Sequence, residues 1–490
     1  MNSRESDAAT ESPNSTPPPL KDEFRSALLS FASAYAKGPL AGHSSTSDFS
    51  SFSVEVIHDR PELNPLLNDA IRDLRRIAGR MIAAGDSRAC VRAYAAARKS
   101  AMDESFKILG IENSSAKIVQ RLEWRVQQQK IRLWIRNAEI CVRVLFAEER
   151  RLAEQIFRGL GNSDLDDACF VETVADHADS LFNFAAAISN GRKSPEKLFS
   201  VLDLYVTISN LLPDVKSVFQ WKFGICVCKK AVDLLLSLAN CARSILLEFE
   251  AAVIGEPTKF LIAGGSIHPL NTAVMDYIDS IVDYRKILTL LIVRKPLQID
   301  LDFSTESSNS PLVLHLLCII EALYLNLKAK SKHYKDAALS NFFVMNNVHY
   351  IVHRIRGSFE LREMIGEGYT NRLADEYNLS ASFYLNLWKG VFDCLEIGCF
   401  ERLGGLFGGS FFSRLRFKAF QARFKEVVEA QSGWVLAEAE LRKELRILVL
   451  EMIMPLYNGF LHRHGRNVER LKQFGNFCDV EKVVMCLFEG

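Results

Sequence analysis

Residues able to do chemistry are present in this chain, but their spacing does not assemble a reaction centre. His349 and His353 lie four apart, so a helix would carry both on one face, as in two-histidine metal sites. A zinc protease also needs Glu directly after the first histidine as its base; here that neighbour is Tyr350, and no third ligand is evident. Two helix histidines with structural roles is the reading the pattern supports. Cys226 and Cys228 fall on different faces of a helix, which predicts core packing rather than metal ligation. The glycine-rich run from Leu403 to Gly409 has no lysine to meet phosphate, and no GxxxxGK[ST] loop occurs. No serine sits in a nucleophile-elbow context. The sequence therefore predicts no enzyme, no catalytic residue, no metal and no cofactor.

What stands out instead is charge. Lys+Arg 60 against Asp+Glu 59 gives a net +1, which supplies no global field for nucleic acid. An anionic partner must be met by a local patch, and the C-terminal third is densely basic. Arg414, Arg416, Lys418, Arg423 and Lys425 form one cluster, Arg442, Lys443 and Arg446 a second, and Arg463, Arg466, Arg470 and Lys472 a third. Two readings stay open. Either the clusters meet an anionic surface, or they are spread around helices and paired with Glu426, Glu429, Glu438, Glu440 and Glu444.

The elements that position these residues read as helical. Half of the 14 prolines precede Leu66, which leaves long stretches free of helix breakers. Ile131, Trp134, Ile135, Ala138, Val142 and Leu145 recur at three and four residues, as on one buried helix face. Leu198, Val201, Leu202, Tyr205, Ile208 and Leu211 do the same, with Pro213 expected to stop that helix. Phe24, Leu28, Phe31 and Tyr35 suggest one short amphipathic helix inside a polar leader. Residues 1–20 have a disordered composition, and His43 to Ser53 reads as a serine-rich linker. Breaks are expected near Gly159–Asp167, Asn190–Ser194, Gly255–Ser266, Arg294–Ser310 and Gly404–Ser410.

The five tryptophans read as core, and Lys330 to Lys335 as a solvated basic turn. Asn346, Asn347, Arg354 and Arg356 read as stitches between helices. The start lacks a signal peptide, and the longest apolar run, Pro311 to Ile320, falls short of the roughly 20 residues a membrane span needs. The fold class that follows is all-α: an elongated rod of stacked helical bundles, irregular and without a repeat period.

The order of particular residues carries more. An arginine-rich helix ends at Gly85; Asp103-Glu104-Ser105 leads to Leu109-Gly110; Glu123-Trp124, Trp134-Ile135 and Cys141 to Phe146 follow, then Glu149-Arg150-Arg151-Leu152. Further on come Leu198-Phe199 to Leu211-Leu212-Pro213, then Ile267-His268-Pro269-Leu270. Phe342 to Val352, Gln431-Ser432-Gly433-Trp434 and Leu487 to Gly490 complete the series. This collinear set from Ile71 to Gly490 resembles the plant type of the exocyst seventy-kilodalton subunit family.

The resemblance implies a cullin-repeat-like α-solenoid and a role in tethering secretory vesicles to the plasma membrane. It implies other exocyst subunits as partners, and docking of the basic C-terminal end on phosphatidylinositol bisphosphate. Localisation would be cytoplasmic and peripheral at the plasma membrane. Domains would be 1–64, a mostly disordered leader with one short helix; 65–490, the helical rod; and 411–490, its basic C-terminal bundle. Two departures from the family pattern bear on this. The long N-terminal coiled arm is expected to be shortened, and the final aromatic-lysine segment reads Phe474-Gly475-Asn476-Phe477. They leave a second implied role open: an interaction scaffold or decoy acting outside the complex, for example in plant immunity.

Overall fold

In a computed structural model of the chain, residues 20–35, 65–111, 115–161, 164–259, 261–292, 310–395, 409–472 and 479–489 are described. The expected leader and linker, apart from residues 20–35, and the segment Phe474–Phe477 lie outside the described residues. Among those described there is no strand, and Val435 and Glu489 form an isolated antiparallel bridge. The all-α expectation holds. Contacts divide the chain into two compact units, Met1–Ile245 and Leu246–Gly490.

The first unit contains α1 (Leu20–Tyr35), α2 (Pro65–Ala83), α3 (Ser87–Ile108), α4 (Ala116–Arg121) and α5 (Trp124–Ile140). A π-helical segment, Cys141–Phe146, runs straight on into α6 (Ala147–Phe157); α7 (Leu165–Ser189) and α8 (Leu198–Val218) follow. The apolar face of α1 packs into the unit: Phe24, Leu28 and Phe31 sit in one core with Leu74, Ile77, Met81, Tyr94 and Phe157. Beside that core lies a buried ion pair. Arg98 Nη2 is 2.7 Å from Glu149 Oε2, and the Tyr94 hydroxyl donates to Glu149 at 2.7 Å.

Pro213 does not stop its helix, because α8 continues to Val218. Pro213 and Ser209, whose carbonyl the proline leaves without a donor, both face solvent. Water can serve that carbonyl, which removes most of the reason to break.

The division between units falls inside α9 (Ile225–Gly255). The second unit goes on through α10 (Pro269–Asp283), α11 (Arg285–Leu291), α12 (Pro311–Ser331), α13 (Ala337–Gly357), α14 (Phe359–Ile365) and α15 (Glu367–Phe392). It ends with α16 (Gly409–Gln431), α17 (Ala439–Lys472) and α18 (Val480–Met485). Pro269 takes the first helical position of α10, and the His268 imidazole caps it by accepting from the Leu270 amide at 3.1 Å.

The asparagine pair stitches helices as expected. Asn346 donates to the carbonyls of Gly265 and Val435, both at 3.0 Å. Asn347 accepts from the His268 amide at 2.8 Å and donates to Phe343 O at 2.9 Å. Gly264 is left-handed and approached closely: a Cβ there would fall 2.2 Å from the Gly433 carbonyl oxygen.

Two further expectations need correction, those for Lys330 and the tryptophans, and the apolar helical runs prove longer than expected. Two helical runs, Pro195–Val218 and Pro311–Ser331, are long and apolar enough by composition to cross a membrane. The second is mostly buried within its unit, and its polar groups have partners: His315 faces Glu250 at 3.1 Å, and Glu321 accepts from Tyr369 at 2.7 Å. Lys330 is not a solvated turn residue. Its side chain is buried, its ammonium donates to the Pro257 carbonyl, and burial holds its pKa below the usual lysine value. Trp134, Trp388 and Trp434 are core, but Trp221 is exposed and Trp124 half-buried, with the Lys197 ammonium over its ring.

Candidate functional site

The basic C-terminal helices are held by an aromatic core. Phe417, Phe420 and Phe424 on α16 pack with Trp388 on α15 and with Val449, Ile453, Tyr457 and Phe460 on α17. Within it, the buried Tyr384 hydroxyl donates to Gln431 at 2.9 Å and accepts from Trp388 Nε1 at 3.0 Å. The chain end closes this core. Phe488 has a left-handed backbone (φ 69°), an uncommon state for a residue with a Cβ. Its ring lies 5.4 Å from Phe342 and 6.2 Å from Tyr384, so aromatic burial offsets that strain.

Onto this frame the predicted basic residues fall unequally. At 100° per residue, Arg414, Lys418 and Lys425 share one flank of the buried stripe of α16. Arg416 and Arg423 share the other. Lys418 and Lys425 are exposed; Lys425 has Glu429 at 3.5 Å, and Lys418 has no ion-pair partner among the described residues. Arg423 is exposed beside Glu426 at 3.6 Å. Exposed pairs of this kind are worth about 0–1 kcal/mol, so they leave the charge available. Arg414 and Arg416 are half-buried; Arg416 Nε donates to the Cys394 carbonyl at 3.3 Å, and its guanidinium lies over Phe460.

On α17, Lys443 is exposed and Arg442 half-buried, while Arg463 is exposed with its Nε on Gly459 O at 3.1 Å. Arg466, Arg470 and Lys472 occupy the last turns of α17, and their side chains lie outside the described residues. Arg446 is different. It is buried and donates to the Leu487 carbonyl from Nε at 2.9 Å, and to Glu489 at 3.0 Å. It is a structural residue that binds the chain end.

The histidine pair has a partner that the sequence did not single out. Glu438, next to the first residue of α17, places its two carboxylate oxygens 2.9 Å from His349 Nδ1 and 3.1 Å from His353 Nε2. Burial lowers the pKa of His349, and the charge of Glu438 opposes that shift. Among the described residues no group of three or more His, Cys, Asp or Glu is arranged to hold a metal ion. Cys226 is exposed rather than packed in the core, whereas Cys228 is half-buried with its thiol on the Phe219 carbonyl at 3.6 Å.

The helical order and this C-terminal architecture can be set beside known proteins. The family model for the C-terminal part of Exo70, an exocyst complex subunit, matches residues 132–485. The chain belongs to the Exo70 family. The Arabidopsis thaliana exocyst complex component EXO70A1 is 34% identical over 441 residues, covering 87% of this chain and 66% of the relative. Its paralogue EXO70B1 is 30% identical over 437 residues, covering 87% and 68%. The chain thus spans about two thirds of the length of these curated relatives. The crystal structure of the S. cerevisiae exocyst component Exo70p superposes with a TM-score of 0.53 at 13% identity, covering 95% of this chain and 86% of that one. At that identity the likeness speaks for the Exo70 fold alone.

Proposed function

We propose that this Exo70 family member is an exocyst subunit that helps tether secretory vesicles to the plasma membrane, docking through its basic C-terminal helices on phosphoinositide. The family match across residues 132–485 carries the subunit role. Its relatives are named as exocyst components, which supports a structural rather than a catalytic part. Localisation would accordingly be cytoplasmic and peripheral at the plasma membrane.

The docking surface consists of Lys418 and Lys425 on one flank of α16, Arg423 on the other, and Lys443 and Arg463 on α17. The basic end of α17 at Arg466, Arg470 and Lys472 adds to it. Each cation close to an anionic leaflet is worth about 1 kcal/mol, so a handful gives reversible attachment. Arg446 takes no part, because its guanidinium is engaged inside the unit.

The subunit role is tested by affinity purification of the tagged chain followed by identification of the other exocyst subunits. Their recovery in stoichiometric amounts is the expected result. A chain recovered without them, under conditions where EXO70A1 retains them, would overturn the assignment.

A further inference from the structure

We propose that the turn Trp221–Ile225, between α8 and α9, is a membrane-inserting tip that enters the interfacial layer of an anionic lipid bilayer. The turn presents three large apolar side chains to solvent: Trp221 is 45% exposed, Phe223 42% and Ile225 65%. It is held rigidly. The Phe223 amide donates to Asp167 Oδ2 at 2.7 Å, and the other oxygen of that buried carboxylate accepts from Arg150 Nη1 at 2.9 Å. The Arg150 guanidinium lies 5.7 Å from the Trp221 ring centroid. Gly224 donates its amide to Trp221 O at 3.0 Å, and a Cβ on it would fall 2.7 Å from the Phe219 carbonyl oxygen. A buried ion pair and a closely packed glycine thus keep an apolar tip in water, where hydration opposes it.

The surrounding charge decides the occupant. Lys216 and Lys229 are exposed with no ion-pair partner among the described residues, and Lys222 extends over the Phe223 ring at 5.6 Å. The carboxylates of Asp164, Asp179 and Asp214 each already face a basic side chain: Lys222, Lys230 and Arg143. Aromatic rings with lysines at their rim are the composition that lodges at the membrane–water boundary, rings at headgroup depth and ammonium groups on lipid phosphate. A five-residue tip is also far smaller than the roughly 800 Å² per partner of a stable protein interface. This site lies in the first unit and stands independently of the docking surface on α16 and α17.

The test mixes the full-length chain with phosphatidylcholine–phosphatidylserine vesicles carrying brominated acyl chains, and reads tryptophan emission and flotation together. Bromine should quench the wild-type emission. Trp221→Phe should keep flotation and lose the quenching. Phe223→Ala/Ile225→Ala, checked for unchanged helicity, should lower partitioning by about tenfold. Lys418→Glu/Lys425→Glu should leave the quenching in place at raised lipid concentration, so the two membrane contacts fail separately. Unquenched wild type, or flotation of the Phe223→Ala/Ile225→Ala chain equal to wild type, would overturn the proposal and leave the tip to a protein partner.

Discussion

Arg446 reaches the Leu487 carbonyl from within the C-terminal core, its Nε 2.9 Å from the oxygen, and so fixes the last residues of the chain onto α17. The same guanidinium contacts Glu489, and the Leu436 amide donates to Phe488 O at 3.1 Å. One arginine of a basic cluster thus works as a latch.

Replacing Arg446 with Met should therefore lower stability by about 2–3 kcal/mol, since a buried carbonyl loses a charged donor. Phosphoinositide binding per folded molecule should stay unchanged. Urea unfolding and vesicle flotation on the same preparation check both halves.

A second prediction concerns Arg98 and Glu149, a buried pair at 2.7 Å. Glu149→Leu alone leaves a desolvated guanidinium and should cost about 3–5 kcal/mol. Arg98→Met/Glu149→Leu should cost less than Glu149→Leu alone, because no uncompensated charge remains. A shift in urea midpoint that simply adds across the two sites would contradict this.

Acid should lower the stability of the fold through His349, which lies where α13 meets the start of α17. Burial lowers the His349 pKa below the usual imidazole value of about 6.5, and nearby His353 adds to this, while Glu438 and Glu444 pull the other way. Between the lowered folded value and the unfolded one, the unfolded chain binds more protons. Stability then rises with pH through that window and falls on acidification below about pH 6.5. Tyr377, whose ring lies 5.2 Å from His349, keeps its hydroxyl proton there, since burial raises its pKa. His349→Gln should flatten this part of the melting-temperature profile. An unchanged slope would assign the pH dependence to other groups.

Helix identity was legible wherever an apolar stripe recurred at three and four residues, as in Phe24, Leu28 and Phe31, all buried in the first unit. The asparagine pair was legible too, because two adjacent amides in an apolar helix must find partners. What escaped depends on which face a residue turns to. Pro213 breaks nothing because it and Ser209 lie on the exposed face, where water can serve the Ser209 carbonyl, and Lys330 is buried because a backbone carbonyl receives its ammonium. Trp221 is exposed because Asp167 and Gly224 hold its turn outward. Arg446 was indistinguishable from its basic neighbours by composition, and its latch role follows from the chain end 41 positions away. Glu438 carried no signal as a partner of His349 and His353, since the turn that delivers it has no periodicity.

Flotation of the full-length chain with vesicles containing phosphatidylinositol bisphosphate tests the docking reading most directly. Attraction between exposed cations and lipid is screened over about 8 Å at physiological salt, so binding should fall steeply as salt rises. Lys418→Glu/Lys425→Glu/Arg463→Glu should weaken it by more than about tenfold with helicity intact, and Asn476→Lys should strengthen it. Binding that ignores both salt and charge reversal would contradict the account.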